Sequence, residues 1–292
     1  MSRGHISAAQ ILPRASGGAT TVGGQAVYAA YSLRRLVARS RGYPVVRGLR
    51  SSDNAERDFL PNSAGFVSTT ELESFAAGGD VTVLIWYDQS GNGRHMVPTG
   101  SPPHLVIAGT AVTLASKAAI QFGASDGQTK HRLRMPFNIF NSAFTVSISG
   151  TRTTYSGSAF WGAFVSGRTA ICCSLGWASN YKPSIQRNGG TDSTTGTDLN
   201  LNQNYVWSFK ATAAYAGGTY SATFYQDNTL NASPSLSFGT DPMVDSYTWL
   251  GGAANGAENS GDHWAGKVRD VVIVLSALSD ANRNSIETAI AF

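Results

Sequence analysis

The sequence predicts an all-β fold: two packed antiparallel sheets with a few short helices, one of them at the C-terminus. Three observations predict it. Short β-branched and aromatic runs recur with Gly, Ser, Asn and Asp between them, the texture of an antiparallel sandwich. Only 14% of the residues are charged and glycine reaches 32, which excludes a coiled coil or long-helix protein. Hydrophobic residues make up 42% and aromatic residues 10%, enough apolar surface for a core and against general disorder. At 292 residues the chain is long enough for a single large sandwich.

The elements follow in order. Residues 1–24 are rich in Gly, Ser, Thr and Ala and read as an arm or attachment segment, leaving 25–292 as one β-sandwich domain. Ala26–Val37 has apolar residues at 26, 30, 33 and 37, which predicts an amphipathic helix. Pro44 and the following Val45–Arg50 predict a short strand. Thr69–Ala77 predicts a short helix capped by Thr69 or Thr70, with Glu71 and Glu73 at its positive end. Val81–Tyr87 is β-branched and aromatic, a buried strand, and Asp88–Arg94 is a Gly- and Asn-rich turn. Further strands are predicted at Leu105–Ile107, Ala119–Phe122, Phe144–Ser149, Ala159–Val165, Val206–Ala211, Tyr220–Gln226, Tyr247–Leu250 and Val268–Leu275. Ser279–Ala291 closes the chain as a helix capped by Ser279 or Asp280, with Ile286 and Ile290 facing inward.

The formal charge is +4, and arginine outnumbers lysine, 17 to 5. Arg34, Arg35, Arg39, Arg41, Arg47 and Arg50 crowd the first part of the chain. Without aromatic-basic interleaving or a nucleic-acid motif they read as a solvated face rather than a nucleic-acid partner. The first eighteen residues lack an apolar h-region, so no signal peptide is expected, and no apolar run reaches ~18 residues, so no membrane insertion is expected. His5, His95, His104, His131 and His263 show no zinc spacing. Calcium is the one metal that the Asp/Asn loops Asp192–Asp198 and Asn255–Asp262 suit, although no dedicated ligand string is present. No Gly-x-Ser-x-Gly or phosphate-loop pattern occurs.

Two stretches carry a resemblance. The first runs Ala30-Tyr31-Ser32-Leu33-Arg34, then Arg50-Ser51-Ser52-Asp53-Asn54-Ala55, then Trp86-Tyr87-Asp88-Gln89-Ser90-Gly91-Asn92-Gly93. This series resembles the N-terminal half of the catalytic domain of glycoside hydrolase family 54 α-L-arabinofuranosidases, a block also found in bacterial and phage proteins of the concanavalin A-like superfamily. It covers roughly residues 25–108. The second, His263-Trp264-Ala265-Gly266-Lys267-Val268 running into Leu278-Ser279-Asp280-Ala281, is similar to the closing strand and helix of laminin-G-like sandwiches. The fold implied is a concanavalin A-like jelly roll.

The resemblance also implies a site. Adjacent cysteines in that family form a disulfide lining the sugar site, which implies a Cys172–Cys173 bond here, as an apolar plate under a sugar ring and in an oxidising compartment; two reduced thiols are the alternative. Trp177, four residues on, is the best candidate for a stacking ring, and Trp264 and Asp262 belong to the same expected carbohydrate site. Asp88, Asn92 and His95 have two readings: hydrogen bonds to sugar hydroxyls, or, for Asp88, an Asx-type turn that locks the loop. Trp86, Trp161 and Trp207 lie within apolar strands and read as core.

Carboxylates decide the enzyme question, since a retaining glycosidase needs two of them ~5–5.5 Å apart. The chain has only Glu56, Glu71, Glu73, Glu258 and Glu287. The family places its nucleophilic glutamate some forty residues past the paired cysteines, where this chain reads Thr212–Tyr220 without one. The family acid follows a Gly-Gly pair, and here Gly251-Gly252 is followed by Ala253. The expected catalytic set is therefore empty, with Asp192, Asp198, Asp227, Glu258 and Asp262 as conceivable substitutes. The expectation is a non-catalytic carbohydrate-binding protein, a spike or fibre of a phage or phage-like particle. It would bind host surface polysaccharide as a homo-oligomer and dock to a capsid or tail protein through the arm. An arabinofuranosidase-like hydrolase and a purely structural decoration protein are the alternatives.

Overall fold

The computed structural model describes residues 20–38, 42–123, 131–153, 199–216, 219–233, 247–251 and 264–292. It also describes the backbone of the strands Ala159–Val165, Thr169–Trp177, Asn180–Gln186, Ser193–Thr194 and Ser235–Ser237. The chain is all-β with two α-helices.

A twelve-stranded antiparallel sheet forms one layer. Its order runs Thr229–Ala232, Thr223–Gln226, Asn204–Ala211, Phe144–Arg152, Gly266–Val274, Ile120–Phe122, His104–Ile107, Val81–Trp86, Val46–Arg50, Glu56–Phe59, with Ala29–Ser32 and Thr110–Ala111 off that path. A seven-stranded sheet forms the other, in the order Ser193–Thr194, Asn180–Gln186, Thr169–Trp177, Ala159–Val165, Thr248–Leu250, Leu133–Met135, Val97–Pro98. Side chains from both layers share one core: Trp86, Phe122, Val146 and Ile148 of the larger sheet pack in the same cluster as Leu133, Met135 and Leu250 of the smaller. This is the expected two-sheet sandwich.

The closing strand Gly266–Val274 explains why the ends of the chain meet. It pairs with Phe144–Arg152 on one side and with Ala29–Ser32 and Ile120–Phe122 on the other. A helix, α2 (Asp280–Ile290), then folds back over the outer face of the larger sheet. Ser279 caps it, its Oγ accepting from the N–H of Asn282. Ile286 and Ile290 pack there with Val22, Val206, Val272 and Val274.

The predicted helix over Ala26–Val37 is not present. Ala29–Ser32 is a strand in register with Ile273–Asp270. The physical reason lies in its double coverage: Ala29 and Tyr31 enter the main core, whereas Ala30 enters the cluster beneath α2. A strand buried on both faces is apolar at every position, which imitates helical spacing. The hairpin Thr21–Val22/Gln25–Ala26 precedes it and lies against α2. Residues 1–19 of the expected arm lie outside the described residues.

The helix α1 (Thr69–Ala76) forms where expected, but its cap is Ser68, whose Oγ accepts from the N–H of Glu71. The expected strand Tyr220–Gln226 is two strands: Thr219–Ser221 pairs with Ser235–Ser237, and Thr223–Gln226 joins the larger sheet. Trp86 and Trp207 are core, as expected.

Candidate functional site

Asp88 is the centre of the turn after Val81–Trp86. Its carboxylate accepts from the N–H of Ala30 at 3.0 Å, the N–H of Ser90 at 2.8 Å, the Oγ of Ser90 at 2.7 Å and the N–H of Arg94 at 3.1 Å. It is 1% exposed. With its lone pairs spent on the loop, Asp88 has none to offer a sugar; the Asx-turn reading holds and the sugar-contact reading is corrected. His95 belongs to the same lock. Its Nδ1 accepts from the N–H of Asp88 at 3.0 Å, and its ring meets Tyr87 edge-on. Burial holds its pKa below the ordinary histidine value. Asn92 is exposed, and its Nδ2 donates to the carbonyl of Tyr28 and the Oγ of Ser90.

Trp264 is not available to a ligand either. It is 0% exposed, wedged between Phe122 and Trp207. The closing strand starts two residues later at Gly266, which lies so near that a Cβ there would come within 2.5 Å of the Trp264 ring. The expected sugar contact is therefore a core residue.

The backbone of Cys172, Cys173 and Trp177 belongs to Thr169–Trp177, in the middle of the seven-stranded sheet. Cys172 and Cys173 occupy consecutive rungs, opposite Gly162 and Trp161 on one side and Gln186 and Ile185 on the other. Their side chains, the expected disulfide, Asp262, and the conceivable substitutes Asp192, Asp198 and Glu258 all lie outside the described residues. So do the loops Asp192–Asp198 and Asn255–Asp262 named for calcium, apart from Ser193–Thr194. Among the described residues no group of three or more His, Cys, Asp or Glu could hold a metal ion.

One cross-strand row crosses this sheet: Val97, Arg134, Trp249, Gly162, Cys172, Gln186. Leu133 and Met135 are buried in the core, so Arg134 between them stands on the outer face, where it is exposed. Trp249 pairs with Arg134, while its neighbour Leu250 pairs with Leu133 inside. Trp249 thus belongs to the outer face, with Tyr247 edge-on at 4.9 Å. Its Nε1–H is buried and has no hydrogen-bond partner among the described residues. The Arg134 guanidinium lies 5.4 Å from the Tyr247 ring centre.

Sequence reasoning did not single out Arg134. The signal was present: Leu-Arg-Met at 133–135 is a strict inside–outside alternation. The row also separates the expected site residues. The turn 88–95 leads into Val97–Pro98 at one sheet edge, and Cys172 lies four strands further on, roughly 19 Å away at ~4.8 Å per strand. Asp88, Asn92 and His95 precede the edge strand Val97–Pro98, whereas Cys172 and Trp177 lie on a strand four removed from it.

Known proteins with this architecture give the fold its place. A solved family 54 α-L-arabinofuranosidase soaked with a cyclic sulfate inhibitor superposes with a TM-score of 0.64 at 14% identity, covering 92% of this chain and 63% of that one. The fold is arabinofuranosidase-like. A second arabinofuranosidase structure, complexed with arabinofuranosyl-α-1,2-xylobiose, gives 0.63 at 13% identity and covers the same shares. By sequence, the probable α-L-arabinofuranosidase B of Aspergillus fumigatus is 38% identical over 84 residues, 28% of this chain and 16% of that protein. The α-L-arabinofuranosidase of Hypocrea jecorina is 35% identical over 81 residues, again 28% and 16%. No family model matches the chain. The arabinofuranosidase-like chain thus aligns with about a sixth of the length of these curated relatives.

Proposed function

We propose that this chain is a carbohydrate-binding protein without glycosidase activity, and that it binds glycan across the outer face of the seven-stranded sheet. The observation that carries the reading is compositional and spatial at once. The described strands of that sheet contain Arg134 and Lys182 but no aspartate or glutamate. Glycoside hydrolysis by the usual route needs a carboxylate pair flanking the bond, and these strands supply neither member. They do supply Trp249 in row with Gly162 and Cys172, with Trp177 at the end of the cysteine strand.

The biological setting is a spike or fibre of a phage or phage-like particle, exposed outside the cell, binding host surface polysaccharide. The segment before the hairpin would dock it to a capsid or tail protein. Assembly as a homo-oligomer would multiply weak single-site affinities. No helix among the described residues is long and apolar enough to cross a membrane.

The test is a glycan panel including host capsular polysaccharide, incubated with purified protein and followed for retention and for released sugar. Retention without release, reduced by Trp177→Ala and Trp249→Ala, is expected. The identity shared with arabinofuranosidases favours a second reading, an arabinofuranosidase-like hydrolase; release of sugar, abolished by one Asp→Asn change, would establish it. Neither retention nor release would make the chain a structural particle protein.

A further inference from the structure

We infer that the glycan bound on this face is anionic, a polysaccharide bearing carboxylate groups, with Arg134 as the residue that recognises its charge. The inference rests on the carbohydrate-binding reading and narrows it to a substrate class.

Charge partition between the sheets is the first argument. The larger sheet holds acidic residues within its strands, Glu56, Asp58 and Asp270, and each is met by an arginine. The described strands of the smaller sheet hold Arg134 and Lys182 and no acid. A ligand on that face meets positive charge uncompensated by the strands that carry it, the condition under which a surface field selects for anions.

Arg134 itself is the second argument. Arginines on the larger sheet are occupied: Arg47 with Asp58 at 2.7 Å and Arg34 and Arg269 with Asp270. The Arg134 guanidinium forms neither a hydrogen bond nor an ion pair among the described residues, and it lies over the Tyr247 ring. Stacking on a ring fixes the guanidinium plane while leaving its N–H donors free, and a planar fork of donors fits a carboxylate with two parallel hydrogen bonds. Trp249 beside it on the row is 6% exposed and packs against Tyr247, which backs the position from which Arg134 reaches outward. Arg134 to Cys172 spans three strands, roughly 14 Å.

The experiment compares polygalacturonate with its carboxyl-reduced form, which keeps the backbone and loses the charge, and alginate with a neutral glucan. Binding to the full-length protein is followed by affinity electrophoresis. The expected result is binding to the acidic polymers, weakened at least about tenfold by carboxyl reduction and to the same degree by Arg134→Gln, the size of one charge-assisted hydrogen bond lost. Lys117→Gln removes an exposed cation outside this sheet and should change nothing. Equal loss in both variants would mean general attraction of a basic protein to polyanions and would overturn the inference. Binding to neutral polymers, indifferent to Arg134→Gln, would overturn it while leaving the carbohydrate-binding reading intact. Binding to none of the four by a normally folded protein would sink both.

Discussion

Arg34, just past the first strand of the larger sheet, reaches Asp270 on its last: Nε lies 3.1 Å from Oδ1, and the carboxylate is fully buried. Ser32 and Ser149 also donate to Asp270, and Arg269 meets its second oxygen at 2.9 Å. Both arginines then use their remaining donors on the end of α2, Arg34 on the carbonyl of Ala289 and Arg269 on those of Ile290 and Ala291. The helix has no basic residue in its own last turn, so these two supply the cations that its negative end favours. Asp270→Asn removes the charge that both arginines face. A loss of about 3–5 kcal/mol is expected, the cost of leaving buried charge unpaired, read as a lower urea midpoint.

Asp88 gives a prediction of the opposite kind. Because its carboxylate holds the loop and touches no ligand, Asp88→Ala should cost about 1–3 kcal/mol of stability through orphaned N–H donors. Glycan retention per folded molecule should stay at the level of the parent protein. A selective loss of retention at unchanged stability would return Asp88 to the binding site.

Trp264 separates core from site in the same way. Trp264→Ala should lower stability by about 3–5 kcal/mol, as large-to-small changes of buried aromatics do. Trp249→Ala, at a position 6% exposed on the outer face, should lower stability as well, but with a loss of retention per folded molecule that Trp264→Ala does not show. Denaturant titration and the glycan panel, run on both variants, distinguish the two.

Gly23 sits at the tip of the first hairpin with φ +57°, and a Cβ there would fall 2.3 Å from the carbonyl oxygen of Ser285 on α2. Gly23→Ala is therefore strained twice, by backbone conformation and by collision. A loss of about 2 kcal/mol is expected, visible as a lower Tm. It would show that the body of the protein begins before residue 25.

Stability should also depend on pH in a defined window. Burial pushes the imidazoles of His95 and His104 below the ordinary value, against a smaller opposing pull from Asp88 and Asp80 respectively. The unfolded chain then binds protons more readily, near pH ~6.5. Their contribution is fully present above that pH and is lost as pH falls through the folded values. Tm should decline between pH 7.5 and 5, and His104→Gln should flatten the slope.

Strand runs such as Val81–Trp86 and Phe144–Arg152 were legible because β-branched residues bounded by turn residues leave few alternatives. Both helices were legible from their acidic first turns and apolar spacing. The motif around Asp88 was recognisable as a string, but its role needed coordinates, since an Asx turn and a ligand contact use the same residue. The stretch 26–37 was misread because burial on both faces erases the alternation that marks a strand. Arg134 was missed because a lone arginine between two apolar residues is ordinary in sequence.

The sequence by itself determined the fold class and the position of the longer apolar strands, such as Val81–Trp86, Phe144–Arg152, Asn204–Ala211 and Gly266–Val274, because local side-chain chemistry and turn residues act over a few positions. Only the tertiary structure decided what those strands mean for a ligand. Which face a residue occupies, and whether its polar atoms are already spent, depends on partners far along the chain: Arg34 on Asp270, Trp264 against Trp207, Arg134 in row with Trp249. Pairing across such distances is set by the packing of the whole sandwich, which no short window of residues contains.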